Sequence, residues 1–292
     1  MTLILNSAEI KECVQFNAEL IPIIEDAFKS LSLGKTVMPP ILRLDIEKYH
    51  GESDVKAAYI EGLDSFAVKV ASGFFNNPKL GLPSSNGLMI LLDSQTGVIK
   101  SVLLDKGYLT DVRTAIAGAI ASKYLSNPES STVAIIGTGI QARMQLEALT
   151  LVRDIKNVNV WSRDIKKTHA YIEDVCKNSN INFIPFDNTK EVVNNADILI
   201  TTTPSKKPLI DYSYLPKGIH ITAMGSDAEE KNELEPDIIK NCDAYVPDSQ
   251  AQTSILGELN HAIKNNLIKS NMIFNDLGKI ILNPELGRKN ND

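Results

Sequence analysis

Two rhythms of hydrophobic and polar positions follow one another along this chain. The first element is expected to be a helix. Ser7 can cap it, Glu9 lies in its first turn, and an apolar stripe runs through Val14, Leu20, Ile24 and Phe28. Gly34 ends that region, and Pro39-Pro40 begins an extended segment. Short alternating runs then predict strands over 41–46, 55–60, 66–71, 87–92 and 98–104. Turn signals at Gly51-Glu52, Gly62, Asn76-Asn77-Pro78 and Gly97 separate them. This first third reads as an α+β unit, a helix leading into a mostly antiparallel sheet. An alanine-rich helix is predicted over 110–125, ending before Asn127-Pro128. Beyond it strands alternate with helical stretches. The strands are expected at 133–136, 158–161, 182–185, 198–202, 220–223 and 244–247, and a helical tail at 250–267. Such alternation means a parallel sheet with crossover helices. The fold class is therefore α/β: a Rossmann-type dinucleotide-binding domain over 113–267, joined to an α+β domain over 1–112.

The run VAIIGTGIQARMQLEAL is a buried strand, a turn and a helix, and it carries G-x-G-x-x-A as Gly137, Gly139 and Ala142. The first glycine permits the tight turn. The second lets the backbone approach a pyrophosphate, and the small Ala142 lets helix and strand touch. The helix start then offers free N–H groups and the positive end of its dipole. The next strand chooses between nicotinamide cofactors, since an acid at its end usually holds a ribose hydroxyl. Here Ser162 and Arg163 stand there and favour NADP, with Arg163 suited to a 2′-phosphate. Asp164 follows directly and keeps NAD open.

Composition narrows the classes. The 292 residues are 43% hydrophobic and 23% charged, with a net charge of −6 and no dense basic patch, which argues against nucleic acid. Cys13, Cys176 and Cys242 are far apart, so neither a disulfide framework nor a zinc site is expected, and reduced thiols in a cytoplasmic protein fit best. No basic leader is visible, and no apolar run nears the ~18 residues of a membrane span. His50, His169, His220 and His261 show no metal-ligand spacing, and no metal is expected.

Arg43, Lys69 and Arg113 stand at strand-like segments or a helix start; taken singly, each is more readily a surface residue than a ligand. Together with their surroundings they carry a resemblance. Four segments, Lys69-Val70, the run from Gly107 to Thr114, Gly137 to Ala142, and Met224-Gly225-Ser226-Asp227 with Lys231 to Leu234, resemble the ornithine cyclodeaminase/mu-crystallin family across nearly the whole chain. The resemblance implies a dimeric two-domain protein with a substrate pocket at the cleft. It implies that Arg43, Lys69 and Arg113 clamp a substrate carboxylate, that Ser84 lies near the ligand, and that Asp227 is the catalytic acid with Lys69 beside it in the chemistry. Thr114, Gly137, Thr138, Gly139, Ile140, Gln141, Ser162, Arg163, Thr202, Met224 and Gly225 are the cofactor positions it implies. The resemblance implies a strand and helix past the Gly287-Arg288 region that return to the first domain; residues 268–292 are expected to complete that domain here, or else the domain closes differently.

A carboxylate can be fixed by two arginines and a lysine through charge-assisted bonds while the α-carbon faces the nicotinamide. A carboxylate near the substrate nitrogen stabilises iminium charge and moves its proton. The expected function is NAD(P)H-dependent reduction of a small α-imino acid, a cyclic ketimine carboxylate or iminosuccinate. Two alternatives stand beside it: an ornithine cyclodeaminase that recycles its cofactor, and a non-catalytic protein that binds NADP and a small ligand.

Overall fold

The computed structural model describes residues 2–290. The chain divides into two compact units, Met1–Leu20 with Ser30–Arg113, and Ile21–Lys29 with Thr114–Asp292.

In the first unit a short strand β1 (Leu3–Asn6) leads into helix α1 (Ser7–Cys13). The cap is Asn6 and not Ser7. The Asn6 side chain accepts from the N–H groups of Ala8 and Glu9, and the Glu9 carboxylate accepts the Asn6 N–H at 2.8 Å. The single helix expected here is two, because α2 (Leu20–Ser32) is separate. Asn17 explains the break: its side chain takes the Glu19 N–H at 2.9 Å, an alternative to the helical ladder. Strands β2 (Thr36–Val37), β3 (Leu42–Ile46), β4 (Gly51–Ile60), β5 (Ser65–Phe74), β6 (Ser85–Asp93) and β7 (Ile99–Leu104) complete a seven-stranded sheet in the order β1-β7-β6-β5-β4-β2, with β3 also on β4. All pairs are antiparallel except β1 with β7. The turn predicted at Gly51-Glu52 falls instead on 47–50, where His50 adopts φ 49°. Gly51 already pairs with Phe74, whose ring fills the space a Cβ would need.

Register sorts this sheet into two faces. Arg43, Asp54 and Ala71 align on one, beside Lys56, Lys69 and Met89. Val55, Val70 and Leu88 align on the other, beside Ala57, Val68, Ile90 and Val102.

Helix α3 (Tyr108–Leu125) begins in the first unit and runs on into the second. The second unit alternates β8 (Thr132–Ile136), α4 (Ile140–Thr150), β9 (Asn157–Trp161), α5 (Ile165–Val175), β10 (Asn182–Phe186), α6 (Thr189–Val192), β11 (Ile198–Thr201) and β12 (His220–Ala223), followed by α7 (Pro236–Asn241), α8 (Gln250–Thr253), α9 (Gly257–Lys264) and α10 (Leu277–Leu282). Its sheet has the order β10-β9-β8-β11-β12, and every pair is parallel. Strand order reverses direction at β8, which puts a ligand crevice at the carboxyl end of that strand. Val133, Ile135, Val158 and Ile198 bury one face under Ala142, Leu146 and Tyr171. Ala134, Ile136 and Leu199 bury the other under Val192, Ile210 and Ile238.

Three expectations are corrected in this unit. Residues 244–247 form no strand: Tyr245 sets its ring edge-on to Phe274 at 5.1 Å, and the Pro247 carbonyl accepts the Leu277 N–H. The helical tail is broken into α8 and α9 at Gly257, whose φ of +74° a side chain would strain. Residues 268–292 fall in the second unit and not the first. The cause is local. Leu277, Ile280 and Ile281 of α10 are buried, and the Arg288 guanidinium donates to the carbonyls of Leu125 and Gly218, both at 2.7 Å.

Candidate active site

The dinucleotide loop is built by the end of β8. Gly137 takes φ +116°, and a Cβ there would meet Thr202 Oγ1 at 2.6 Å. Its N–H donates to the Trp161 carbonyl at 2.9 Å, which ties the loop to β9. Thr202 closes the other side, donating both its N–H and its hydroxyl to the Ile136 carbonyl. Gly139 is the N-cap of α4, no side chain caps that helix, and nothing lies within 4 Å of where a Cβ would stand. Arg143 donates to the carbonyls of Thr138 (2.6 Å) and Gly139 (3.2 Å), pairs with Asp174 at 2.9 Å, and lies 4.9 Å over the Tyr171 ring. The loop carbonyls are thus turned toward a cation, and the uncapped helix start remains open to an anion. These residues fit a dinucleotide pyrophosphate. Ile140 is half exposed in the first turn of α4, and Gln141 accepts from Gln145, whose amide also donates to the Thr114 carbonyl.

At the end of β9, the Ser162 hydroxyl donates to the Asp164 carbonyl and bonds Thr168, each at 2.9 Å. Asp164 uses its carboxylate as the N-cap of α5. Arg163 between them is exposed.

Beyond β12, Met224 still donates its N–H to the Thr201 carbonyl, and then the chain leaves the sheet. Asp227 stands there with its side chain 64% exposed, which leaves its carboxylate accessible. The buried Lys231 donates to its Oδ1 at 2.5 Å. Gly225 and Ser226, just before it, rest on two buried carboxylates, Glu233 and Glu258. Asp227 and the glycine loop both follow strands of one parallel sheet at their carboxyl ends.

The first unit holds the remaining candidates. Lys69 on β5 faces Lys56 directly across the ladder. Burial, then the charges of Arg113 and Lys56, push its ammonium down to about 7, against the opposing pull of Asp54 and Asp105. Arg113 is exposed on α3. Arg43 is already engaged: it meets Asp45 at 3.0 Å, Glu52 at 2.6 Å and Asp54 at 3.6 Å. Ser84 precedes β6, and its carbonyl accepts the Phe74 N–H. The structure thus brings Lys69 and Arg113 within electrostatic reach of each other and binds Arg43 to acids of its own sheet.

A model of the ornithine cyclodeaminase/mu-crystallin family matches residues 1–292. The chain belongs to this family. An uncharacterized cyclodeaminase of Sinorhizobium fredii is 49% identical over 286 residues, 98% of this chain and 86% of that protein. The solved Δ1-pyrroline-2-carboxylate reductase of Thermococcus litoralis, in complex with NADH and L-proline, is 29% identical. It superposes with a TM-score of 0.92 over 99% of this chain and 89% of that one. An archaeal alanine dehydrogenase dimer with bound NAD is 32% identical, with a TM-score of 0.90 over 100% and 88%. The second unit of this chain carries the Rossmann-like sheet of that α/β fold.

Sequence reasoning passed over Arg143, Lys56, Glu233 and Glu258. Arg143 sits four residues after Gly139, one turn into the helix, a spacing that brings it back over the loop. Glu233 lies inside a segment that carried the resemblance and still gave no sign of its partners. Nothing local distinguishes Glu258 from a solvated helix residue. Among the described residues, no group of three His, Cys, Asp or Glu side chains could hold a metal. Among the described residues, too, no helix is long and apolar enough to cross a membrane.

Proposed function

We propose that this family member is an NAD(P)H-dependent reductase that converts a small α-imino acid to the amino acid. The observation that carries this is the common edge of the second sheet, where an open glycine loop and the exposed Asp227 carboxylate follow strands of the same direction. The loop amides of Gly139 and the first turn of α4 would hold the pyrophosphate, with Thr114, Thr138, Ile140, Gln141, Thr202, Met224 and Gly225 lining the dinucleotide. A nicotinamide bound there would supply a hydride to the imine carbon. Asp227 stabilises the iminium charge and manages the proton on nitrogen. Lys231 holds that carboxylate in one orientation by a charge-assisted bond. Lys69 and Arg113 bind the substrate carboxylate, with Ser84 beside it. Arg43 acts through the acids it binds as much as through substrate.

NADP is the favoured cofactor. Ser162 and Asp164 are turned into their own backbone, so the exposed Arg163 is the group left for a 2′-phosphate. The Arg163→Ala variant should weaken NADPH binding about tenfold and leave NADH binding unchanged, for the loss of one charge-assisted contact. The apolar face of the first sheet is the homodimer surface, as suits a family in which an alanine dehydrogenase is solved as a dimer. A cytoplasmic setting suits the free Cys13, Cys176 and Cys242.

The test is cofactor oxidation with Δ1-pyrroline-2-carboxylate, with iminosuccinate, and with pyruvate plus ammonia. Stoichiometric oxidation on one of them supports the reading. A second reading is favoured by the S. fredii relative, which is named a cyclodeaminase. Ammonia released from ornithine with no net change in cofactor would replace the first reading by that one.

A further inference from the structure

Three consecutive residues of the loop after β12 are each gripped by a different side chain. Gly225 donates its N–H to Glu233 Oε2 at 2.8 Å, Ser226 donates its hydroxyl to Glu258 Oε1 at 2.5 Å, and Asp227 accepts from Lys231. Glu233 is the hub. It has no exposed surface. Its carboxylate also accepts from the Thr201 hydroxyl at 2.7 Å and the Thr203 N–H at 2.6 Å, so one side chain ties the ends of β11 and β12 together. Its own N–H donates to Glu258 at 2.8 Å, and its carbonyl accepts the Leu209 N–H at 2.7 Å. A Cβ on Gly225 would strike the Glu233 carboxylate and the Thr203 carbonyl, so this loop lies directly on the buried acid.

A purely mechanical brace would not need a charge, and burying one costs stability. What an ionised carboxylate offers is two oxygens that only accept. Three donors converge on Glu233, and a neutral acid or an amide meets that demand poorly because one of its ends is itself a donor.

We propose that Glu233 is a positioning residue: its ionised carboxylate locks the loop from Gly225 to Asp227 onto the ends of β11 and β12, and the reach of Asp227 toward the reacting imine follows that charge. This rests on the imine-reductase reading above. The charged group facing Glu233 is Glu258 on α9. Thr201 at the end of β11 faces it, with Thr203 just past β11 and Gly225 just past β12, and Lys231 and Asp227 lie along the same loop. Burial first, with Glu258 adding repulsion against the bonds from Thr201 and Thr203, moves Glu233 up to about 7. The lock therefore closes as pH rises through neutrality.

Two measurements decide it. The Gly225 amide proton, followed by NMR on the full chain, should titrate with a midpoint near 7 in the wild type and not in Glu233→Gln. The ratio of wild-type to Glu233→Gln kcat should grow about tenfold between about pH 6 and pH 8, with the KM for NADPH little changed. Taking the ratio cancels the titration of Lys69, which both proteins share. Thr201→Val removes one bond that favours the charged form and should move the wild-type midpoint to higher pH, a result that does not depend on Glu233→Gln folding. A Gly225 amide that does not titrate, a flat kcat ratio, or an unmoved midpoint in Thr201→Val overturns the inference. A wild type inert toward every imino acid overturns the functional reading alone, since the amide titration is read without turnover.

Discussion

The two sheets of this chain treat their side chains in opposite ways. In the second unit every residue of β11 is buried, and four of the five in β8. In the first, all ten residues of β5 are only half-buried, and β4 reaches burial at Gly51 alone. The difference follows from connection. Parallel strands need crossover helices, which cover both faces, whereas antiparallel strands joined by short turns bring no cover with them. The second unit thus closes its own core. The first leaves Val55, Val68, Val70, Leu88, Ile90 and Val102 on one half-covered face, an arrangement suited to a sheet completed by another copy of itself.

The sharpest way to test this division is at the polar edge of the self-contained sheet. Asp227→Asn should lower kcat by about 10²- to 10⁴-fold while NADPH binding, followed by fluorescence, stays intact. Next comes its core. Ile135→Ala should cost about 2–5 kcal/mol in denaturant unfolding, by the same amount at every protein concentration. Val70→Asp on the first sheet should behave differently: light scattering should report monomers, and the wild type's dependence of Tm on concentration should vanish. If the wild type itself scatters as a monomer, or its Tm does not change with concentration, the contrast between the sheets is not one of association.

Two smaller effects concern pH. His220 is buried against Thr222, and burial with Arg288 and Arg153 holds it down at about 3 from an ordinary 6.5. Above 6.5 it is neutral in both states and contributes nothing. As pH falls from 6.5 toward 3, the unfolded chain takes the proton and the folded chain refuses it, so stability should fall by up to about 1.4 kcal/mol per pH unit. Glu233 works the other way between 4.5 and about 7, where the folded state holds the proton, so His220→Gln in a Glu233→Gln background isolates the histidine. Lys69, at about 7, should make kcat/KM decline as pH rises above that value, and Lys69→Arg should flatten the decline.

Much of this was readable from sequence for one reason: βα alternation and a glycine loop are local signals. Gly137 and Gly139 announced a turn that needs no partner to be recognised. What stayed hidden depends on distant partners. Asn6 became a cap because β1 ends there beside β7, and a four-residue strand carries little pattern of its own. Arg43 looked like a free clamp until register set Asp54 opposite it, with Glu52 two residues away on the same face. Glu258 reaches Ser226 and the Glu233 N–H across 32 and 25 residues, and no spacing rule predicts that. The tail was misassigned because Arg288 finds its acceptors at Leu125 and Gly218, far back in the chain.

The chain has one tryptophan, Trp161, and its carbonyl holds the N–H of Gly137. The sole indole of the protein is therefore built into the turn that would receive the dinucleotide. Its emission is an intrinsic gauge of that turn: energy transfer to reduced nicotinamide would report occupancy directly, with no label and no substrate, in every variant described above.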